Sequence, residues 1–470
     1  MSKTQHVGAL QLEADIREGV IDTVIVAFSD HQGQLIGKRT DGEFYLDVVA
    51  KEGTENCDYL IACDIEDTPI PGFRWASYDQ GYGDMRGVVD PSTIRYLPWL
   101  DHTALVLVDL VDVDTGTPVA VSPRRILQDQ TDRAMAFGYV PMIGSEVEFF
   151  LFKETYDDAN SAGYRGLTSN SPYLEDYHIL QTTKEENVLG PIRRGLRGAG
   201  FPVEFSKGEA GRGQHEVNLT SQDAIEMADM NLIFKNAVKE IAAIAGRSAT
   251  FMAKPYFDDA GSSCHIHSSL WATDMSTSLM PEQHGEHGDD SGDAGHDPHH
   301  MSELFRWYLG GLIATAREFS LLFAPNPNSY KRFQPGSWAP TGIGWAVDNR
   351  TLGFRVVGHG NGLRVESRIP GSDANCYHAF AATIAAGLYG IEHRIDPPPP
   401  YIGNGYTATD LERIPSNYPE AIDLWRTSAV AKHCFGDDVH HHVLHHAEAE
   451  WLAFNQTVTD WERHRYFERI

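Results

Sequence analysis

The sequence predicts an α+β protein with a small β-rich N-terminal domain and a larger domain in which strands alternate with long helices. The chain has 470 residues, enough for two or three domains and an ample core. Before position 115, short segments in which apolar and polar residues alternate indicate strands. After it, longer segments show the periodicity of helices. We place the boundary near 115–120, which gives domains at 1–117 and 118–470.

The N-terminal elements follow from local signals. Residues 21–39 predict a strand, a turn at 30–33 and a returning strand, and residues 104–113 predict another strand. Residues 121–138 predict a helix, with Ser122 as N-cap and a proline in the first turn.

In the larger domain, the clearest helices are expected at 222–247, 302–321 and 378–391. Residues 273–300 are rich in Gly, Asp and His. This composition cannot bury a core, although a His/Asp tract can bind metal adventitiously. We therefore predict a flexible surface insertion at 273–300.

The charge balance argues against partners that need a basic surface. The net charge is −28, from 38 basic and 66 acidic residues, so neither a nucleic acid nor an anionic membrane is expected as a partner. Five cysteines without paired spacing indicate reduced thiols, and the sequence shows no signal segment and no apolar run of membrane length. We expect a cytoplasmic protein that acts on small molecules.

Two glutamates lie in the apolar segment 144–152, GSEVEFFLF. Successive side chains of a strand alternate between faces, so Glu146 and Glu148 share one face and Val147 lies behind it. Neighbouring carboxylates in an apolar setting repel each other unless one takes up a proton or a cation lies between them. An isolated pair of this kind is equally consistent with a solvated strand face.

Three further segments show the same pattern of an apolar back and a polar front. The polar residues are Gln214, Glu216 and Asn218 in 213–219, His265, His267 and Ser269 in 264–271, and Arg364, Glu366 and Arg368 in 362–370. Together, the four strands predict a sheet whose polar face lines a cavity.

The residue types on this face indicate a divalent cation. The candidate ligands are Glu146, Glu148, Glu209, Glu216, His265 and Glu366. Carboxylates with a single imidazole suit Mg²⁺ or Mn²⁺ better than Zn²⁺. Forked donors for phosphate and carboxylate are available from Arg332, Arg350, Arg355, Arg364 and Arg368. Carboxylates that hold Mg²⁺ beside several arginines are typical of phosphoryl transfer.

The usual nucleotide-binding motifs are absent. The segment GQLIGKR at 33–39 is one residue short of a P-loop and ends in Arg, and GYGDMRG at 81–87 lacks the G-x-G-x-x-G spacing. Any ATP would therefore have to bind through metal ions and arginines.

Five blocks of the sequence resemble, in order, the signature blocks of the glutamine synthetase superfamily in its bacterial type I branch. They are 144–152, 208–219 (GEAGRGQHEVNL), 260–271 (AGSSCHIHSSLW), 328–340 (NSYKRFQPGSWAP) and 362–375 (GLRVESRIPGSDAN). Residues 152–168 and 355–368 resemble the γ-glutamyl-amine ligases, in particular the γ-glutamylethanolamide and γ-glutamylpolyamine synthetases.

The resemblance implies a β-grasp N-terminal domain and a catalytic domain built on a curved antiparallel sheet with surrounding helices. It also implies a homo-oligomer, a dodecamer of two stacked hexameric rings with each active site between neighbouring subunits. ATP as a substrate and two or more Mg²⁺ or Mn²⁺ ions per active site are implied as well.

By position in the family motifs, the metal ligands divide into two sets. Glu148, Glu209 and Glu216 correspond to the metal beside the glutamate that is activated, and Glu146, His265 and Glu366 to the metal on the ATP phosphates. The other residues, by implied role, are the catalytic Arg332, Arg350 and Arg355, the ATP-binding His267, Ser269, Arg355 and Arg364, and the glutamate-binding Gly261, Arg332 and Arg368.

Several residues depart from the ammonia-using enzymes. Ala260 stands where those enzymes carry an asparagine that contacts glutamate, and Asn361 replaces a lysine on the nucleotide side. Trp338 replaces the flap glutamate over the ammonium site, and residues 67–77 replace the Asp-Gly-Ser-Ser segment that binds ammonium. The predicted amine site consists of Trp338, Glu66, Asp67 and Asp84, with one of the acids as the base.

These features imply ligation of the γ-carboxylate of glutamate to a primary amine, ethanolamine or a polyamine, through a γ-glutamyl phosphate made from ATP. Two alternatives stay open: an ammonia-using glutamine synthetase, and a catalytically silent member that serves as a binding or regulatory scaffold. The intact metal ligands argue against the silent alternative, and the lost ammonium residues argue against the ammonia-using one.

Overall fold

The N-terminal sheet is formed by the first six strands of the chain. The computed structural model describes residues 6–282 and 300–470. The strands are β1 (Thr23–Ser29), β2 (Leu35–Asp41), β3 (Thr54–Cys57), β4 (Asp84–Val89), β5 (Arg95–Tyr96) and β6 (Thr103–Asp112). Their order is β2-β1-β6-β4-β3 with β5 on β6, and only β1 and β6 run parallel. The predicted strand, turn and returning strand at 21–39 are confirmed as β1 and β2.

A larger sheet carries the predicted polar face. Its strands are β7 (Val140–Phe152), β8 (Val203–Gly208), β9 (Gln214–Leu219), β10 (Gln222–Asp223), β11 (Ser248–Thr250), β12 (Cys264–Trp271), β14 (Trp345–Val347), β15 (Phe354–Val357) and β16 (Arg364–Ser367). The order is β14-β15-β16-β12-β7-β9-β8, with β10 and β11 also on β7. Only β14 and β15 are parallel. A separate pair is formed by β13 (Gly342–Ile343) and β17 (Glu412–Arg413).

Helices pack against both sheets. They are α1 (Ala9–Arg17), α2 (Gly42–Phe44), α3 (Ala50–Glu52), α4 (Pro123–Ala136), α5 (Tyr156–Ser161), α6 (Ile179–Lys184), α7 (Glu186–Gly198), α8 (Ala224–Ile244), α9 (Glu303–Thr315), α10 (Ser320–Phe323), α11 (Cys376–His393), α12 (Tyr418–Thr427), α13 (Ala429–Gln456) and α14 (Asp460–Tyr466). A kink at Gly436 divides α13. The sheet is curled, and the predicted α+β fold is confirmed. In the described parts of the chain, no helix combines the length and apolar character needed to cross a membrane.

The predicted helices lie at the observed positions, but their ends differ from those in the structure. Ser122 is the N-cap of α4, but its side chain makes no capping hydrogen bond. Asp223 caps α8 by accepting from the Glu226 N–H. The helix expected at 302–321 is wrong in extent, because α9 ends at Thr315 and α10 begins at Ser320. The Thr315 hydroxyl donates to the Gly311 carbonyl at 2.9 Å, a bond that competes with the helix backbone at this end.

The core lies behind the polar face of the large sheet. Helices α4 and α8 pack on β7, and α11 packs on α4, α8 and α9. One hydrophobic cluster continues from these helices into the N-terminal sheet. Arg124 on α4 reinforces this connection, since it donates to Asp229 on α8 and Asp109 on β6. The predicted boundary at 117/118 falls between β6 and α4.

The predicted insertion at 273–300 lies partly outside the described residues, which exclude 283–299. At its N-terminal end, Ser278 and Met280 are fully buried, and the Leu279 N–H donates to the Leu270 carbonyl at 2.9 Å. Residues 278–280 therefore belong to the packed fold and not to a flexible surface insertion, and the rest of the predicted insertion stays a prediction. The physical reason is Met280, whose apolar side chain joins the core from within a polar stretch.

Candidate active site

The strand register places the predicted ligands in one row across three strands. His265 on β12 lies opposite Glu146 on β7, and Glu148 on β7 lies opposite Glu216 on β9. Directly opposed side chains point to the same face of a sheet, about 5 Å apart. Because Glu146 and Glu148 also share a face, the two pairs form a continuous row of polar groups.

Glu146, His265 and Glu366 form the first triad. One ligand atom from each lies within 4.8 Å of those of the other two. His265 Nδ1 is 3.2 Å from Glu146 Oε2 and 3.8 Å from Glu366 Oε1. His265 Nε2 is buried and has no hydrogen-bond partner in the described chain. The structure thus assembles one of the two predicted ligand sets.

The first triad combines two carboxylates with a neutral imidazole. Burial opposes ionisation of Glu146, but hydrogen bonds from His265 and His267 bring its pKa well below the usual range. Burial also opposes ionisation of Glu366, while electrostatic interactions with His265 and Arg368 bring its pKa to about 2. Burial, and then Arg368, lower the pKa of His265 to about 4. This donor set fits a divalent cation.

Glu148, Glu209 and Glu216 form the second triad, whose ligand atoms also lie within 4.8 Å of one another. Glu209 directly follows β8, and the other two face each other on β7 and β9. The Lys207 ammonium contacts Glu209 and lies 3.5 Å from Glu216 Oε2. The second predicted ligand set is therefore also brought together, with one lysine beside it.

Two carboxyl groups of the second triad, those of Glu148 and Glu216, are deeply buried. Glu148 Oε2 accepts from Gln214 Nε2 at 3.0 Å and from the Ser263 N–H at 2.7 Å. Burial, and then the charge of Glu216, raise the pKa of Glu148 to about 7. Burial and the charge of Glu146 raise the pKa of Glu216. Buried acids that resist ionisation next to each other are stabilised by a cation, so this triad also fits a metal ion.

Arg332 is fully buried, and its terminal nitrogens are bonded to the protein. Nη1 donates to the Ile369 carbonyl at 2.7 Å, and Nη2 donates to Ser263 Oγ and the Arg368 carbonyl, both at 2.9 Å. Nε has no hydrogen-bond partner among the residues that the structure describes. Burial is the first reason why the pKa of Arg332 falls to about 10, still high enough to keep the guanidinium charged.

Gly261 lies directly against Arg332. A Cβ added at Gly261 would be 2.8 Å from Arg332 Cγ and 2.7 Å from the Ala253 carbonyl oxygen. The Gly261 carbonyl accepts from Gln214 Nε2 at 3.0 Å, and the same amide donates to Glu148. Two of the predicted glutamate-binding residues, Gly261 and Arg332, therefore adjoin the second triad.

Two arginines converge on Glu366. Arg355 Nη1 donates to Glu366 Oε2 at 2.9 Å, and Arg368 donates to Glu366 Oε1. Arg355 Nε also donates to Asp348 at 3.1 Å. The hydrogen bond and the charge of Arg355 are the main causes that lower the pKa of Asp348. The charge of Arg350, which is exposed, lowers this pKa further. These cations lie on the side of the first triad, where the phosphates were predicted.

The predicted nucleotide-binding residues extend along β12 and β16 from the first triad. His267 Nε2 lies 2.9 Å from Glu146 Oε1, and Arg364 Nε donates to His267 Nδ1 at 3.1 Å. Further along β12, Ser269 Oγ accepts from Trp271 Nε1 at 3.0 Å. The three residues form a polar strip that continues the triad.

The predicted amine site combines Trp338 of the larger domain with three acids of the N-terminal domain. Trp338 is 59% exposed and has a φ of +61°, a rare conformation for a bulky residue. The three acids lie in the N-terminal domain, with Glu66 near Glu450, Asp67 near Asp30 and Asp84 near Asp58. No hydrogen bond or ion pair of the described residues links Trp338 to them. The amine site stays a prediction.

Two residues of the site were missed by the sequence analysis. Lys207 shares a strand face with Glu209 at a spacing of two, and this spacing could have identified it. Asp348 orients Arg355 from an exposed position. No sequence pattern singles out Asp348, because the contact depends on the parallel pairing of β14 with β15.

Residues 120–466 match the family model of the glutamine synthetase catalytic domain. The chain belongs to the glutamine synthetase family, as the five sequence blocks predicted. It is 46% identical over 468 residues to the γ-glutamylethanolamide synthetase GlnA4 of Streptomyces coelicolor, covering 100% of this chain and 97% of that protein. It is 33% identical over 476 residues to a glutamate–isopropylamine ligase of Pseudomonas sp., covering 100% of both.

The fold is similar to that of a solved structure described as a complex of GmaS with ADP. The TM-score is 0.82 at 26% sequence identity, and the match covers 99% of this chain and 100% of that one. The similarity therefore extends over both sheets and the helices around them.

Proposed function

We propose that this chain is an ATP-dependent ligase that joins the γ-carboxyl group of glutamate to a primary amine. One observation carries the proposal. Two acid triads lie on one sheet face beside several arginines, in a chain that aligns end to end with two amine ligases. Phosphoryl transfer to a carboxylate needs this combination of anionic metal ligands and cationic side chains.

In the first step, the γ-carboxylate of glutamate attacks the γ-phosphate of ATP, and ADP leaves. Arg332, Arg368 and the Gly261 backbone orient glutamate, and Arg350 and Arg355 donate to the oxygens of the transferred phosphoryl group. The two triads would each hold a divalent ion, Mg²⁺ or Mn²⁺, which supplies charge neutralisation for the phosphates and the carboxylate. The product of this step is γ-glutamyl phosphate.

In the second step, a neutral amine attacks the acyl carbon and expels phosphate. The amine must first lose a proton, and the acids of the N-terminal domain, Glu66, Asp67 and Asp84, are the candidate bases. The indole of Trp338 presents an exposed apolar face, which suits an amine with a carbon stem and disfavours a small hydrated cation. Ethanolamine or a polyamine is therefore the proposed co-substrate.

A homo-oligomer is the proposed functional form, a dodecamer of two hexameric rings. Trp338 is open to solvent in a single chain, and no bond joins it to the N-terminal acids of the same described chain. Large apolar side chains at the C-terminus are also exposed, with Phe467 at 90% and Ile470 at 96%. A neighbouring subunit that covers such groups and supplies the acids accounts for both observations.

The proposal is tested by incubating the purified protein with ATP, glutamate, Mg²⁺ and a panel of amines that includes ammonium. Phosphate release and the mass of the amide product are measured. We expect phosphate release that depends on the amine and a γ-glutamyl amide whose mass identifies it. Equal efficiency with ammonium would favour the glutamine synthetase alternative, and no product with any amine would favour the silent one.

A further inference from the structure

Four histidines meet outside the candidate active site. His31 lies in the turn between β1 and β2, His378 lies on α11, and His442 and His446 lie on α13. The His31 ring centroid is 4.9 Å from that of His378, 5.4 Å from that of His442 and 3.7 Å from that of His446. We call these four residues the histidine cluster. It joins the N-terminal sheet to two helices from the C-terminal part of the chain.

Each ring of the histidine cluster has one nitrogen without a hydrogen-bond partner among the described residues. These nitrogens are His31 Nδ1, His378 Nε2, His442 Nε2 and His446 Nδ1, and all four are buried. A buried polar atom that makes no hydrogen bond costs free energy, so native proteins rarely leave one unpaired. Four in one place indicate that the cluster shares a ligand that accepts nitrogen lone pairs.

The hydrogen bonding of His446 suits a metal ion. The His446 Nε2–H donates to the Ile61 carbonyl at 3.2 Å, which leaves the lone pair on Nδ1. Metal-ligating histidines typically have such a second hydrogen bond, because it fixes the tautomer and the orientation of the ring.

The positions of the ring nitrogens also suit coordination. One nitrogen from each of His31, His442 and His446 lies within 4.8 Å of the other two. His442 and His446 are four residues apart on α13, so they lie on one helix face. The rings of His31 and His446 are stacked with an interplanar angle of 8°, so coordination requires one of them to turn about its Cβ–Cγ bond.

A cavity of about 500 Å³ reaches the cluster and offers a path for an ion. His31, His378 and His446 line it, and so do Asp373 and Glu450. Imidazole ligands without carboxylates select Zn²⁺, Cu²⁺ or Ni²⁺ over Mg²⁺, which prefers oxygen.

We propose that the histidine cluster is a transition-metal site, separate from the candidate active site, which binds one cation of the Zn²⁺ class through His31, His442 and His446. His378 adjoins these three ligands, with its ring centroid 4.9 Å from that of His31. The ion has ligands from the β1–β2 turn and from α13, and so it stabilises the contact between the N-terminal sheet and the C-terminal helices.

The test uses the full-length chain with His→Gln substitutions at 284, 287, 296 and 299, because that His-rich stretch of the sequence could bind metal by itself. Metal-stripped protein is titrated with Co²⁺ in excess Mg²⁺, and visible absorption is recorded. Four-coordinate cobalt with nitrogen ligands absorbs far more strongly than six-coordinate cobalt with oxygen ligands. The cluster variants are His442→Phe and His31→Phe. The matched control is His441→Phe, since the His441 ring stacks on His445, outside the cluster.

We expect one equivalent of strongly absorbing cobalt per chain in the background protein and in the control, and none in either cluster variant. Zn²⁺ should displace the cobalt and raise the melting temperature. No strong absorption in the background protein, or unchanged absorption in folded cluster variants, would overturn the proposal.

If both cluster variants fail to fold, X-ray absorption of the zinc-loaded background protein decides the question. Three or more imidazole ligands support the site, because no other ligand cluster of the described residues contains more than two histidines. An oxygen-dominated coordination shell contradicts it.

Discussion

Substitution of Gly261 by alanine tests the proposed glutamate site without removing a functional group. The new Cβ would lie 2.7 Å from the Ala253 carbonyl oxygen and 2.8 Å from Arg332 Cγ, where ordinary contact begins at 3.4 Å. The backbone at Ala253 or the side chain of Arg332 must therefore move by about 0.7 Å. Because a 1 Å displacement of a positioning group costs about 100-fold in rate, we expect kcat/KM for glutamate to fall about 10- to 100-fold. That loss corresponds to ~1.4–2.7 kcal/mol of transition-state stabilisation.

The assay is steady-state amide formation with glutamate varied at saturating ATP and amine, and then with ATP varied. The KM for ATP should stay near the wild-type value, since Gly261 adjoins the second triad and not the polar strip of His267, Ser269 and Arg364. Gly8→Ala is the control, because a Cβ at Gly8 has no neighbour within 4 Å. A folded Gly261→Ala variant with unchanged kcat/KM for glutamate would refute the assignment of Gly261 and Arg332 to glutamate binding.

Three further outcomes are expected. Glu148→Ala and Glu366→Ala each abolish amide formation while the fold persists, because each removes a ligand from a different triad. Turnover measures the loss of activity, and circular dichroism measures the fold. Trp338→Glu shifts the ratio of kcat/KM for ethanolamine to that for ammonium toward ammonium, since a carboxylate stabilises the small cation that an indole disfavours. Arg124→Ala leaves Asp229, 3% exposed, without its ion partner, and lowers the free energy of unfolding in urea by about 3–5 kcal/mol.

Each of these outcomes has a result that contradicts it. Retained turnover of either glutamate variant at saturating Mg²⁺ would rule out the two-metal assignment. An unchanged amine-to-ammonium ratio would show that Trp338 does not shape the amine site. For the stability prediction, the control is Arg125→Ala, whose exposed ion pair with Asp129 is worth at most about 0.5 kcal/mol. An Arg124→Ala variant no less stable than this control would disprove the role of the buried network.

The sequence predicted the strands of the site better than the helices around it. The alternation of apolar and polar residues identified β7, β9, β12 and β16, because the sequence of each strand shows both its apolar and its polar face. Helical periodicity identified α8, but it predicted that the helix at 302–321 continues beyond Thr315, where α9 ends. Helix ends depend on local hydrogen bonds, which periodicity does not contain.

The ligand sets could be named from motifs, but their geometry could not. Glu146 and Glu148 share a face in any strand, yet they belong to different triads because β12 pairs on one side of β7 and β9 on the other. The same long-range pairing places Lys207 beside the second triad. Strand order and register are set by the collapse of the whole core, which no single segment encodes.

The sequence by itself determined the family, the polar face and the identity of the proposed metal ligands, since these depend on residue type and short spacing. Only the tertiary structure decided how the two ligand sets are arranged across the sheet, how Arg332 is buried, and that His31 meets His378, His442 and His446. Those four histidines come from a turn and two helices that lie far apart in the chain. Their meeting follows from the packing of the C-terminal helices on the N-terminal sheet, an energetic outcome of the complete core and not of any local pattern.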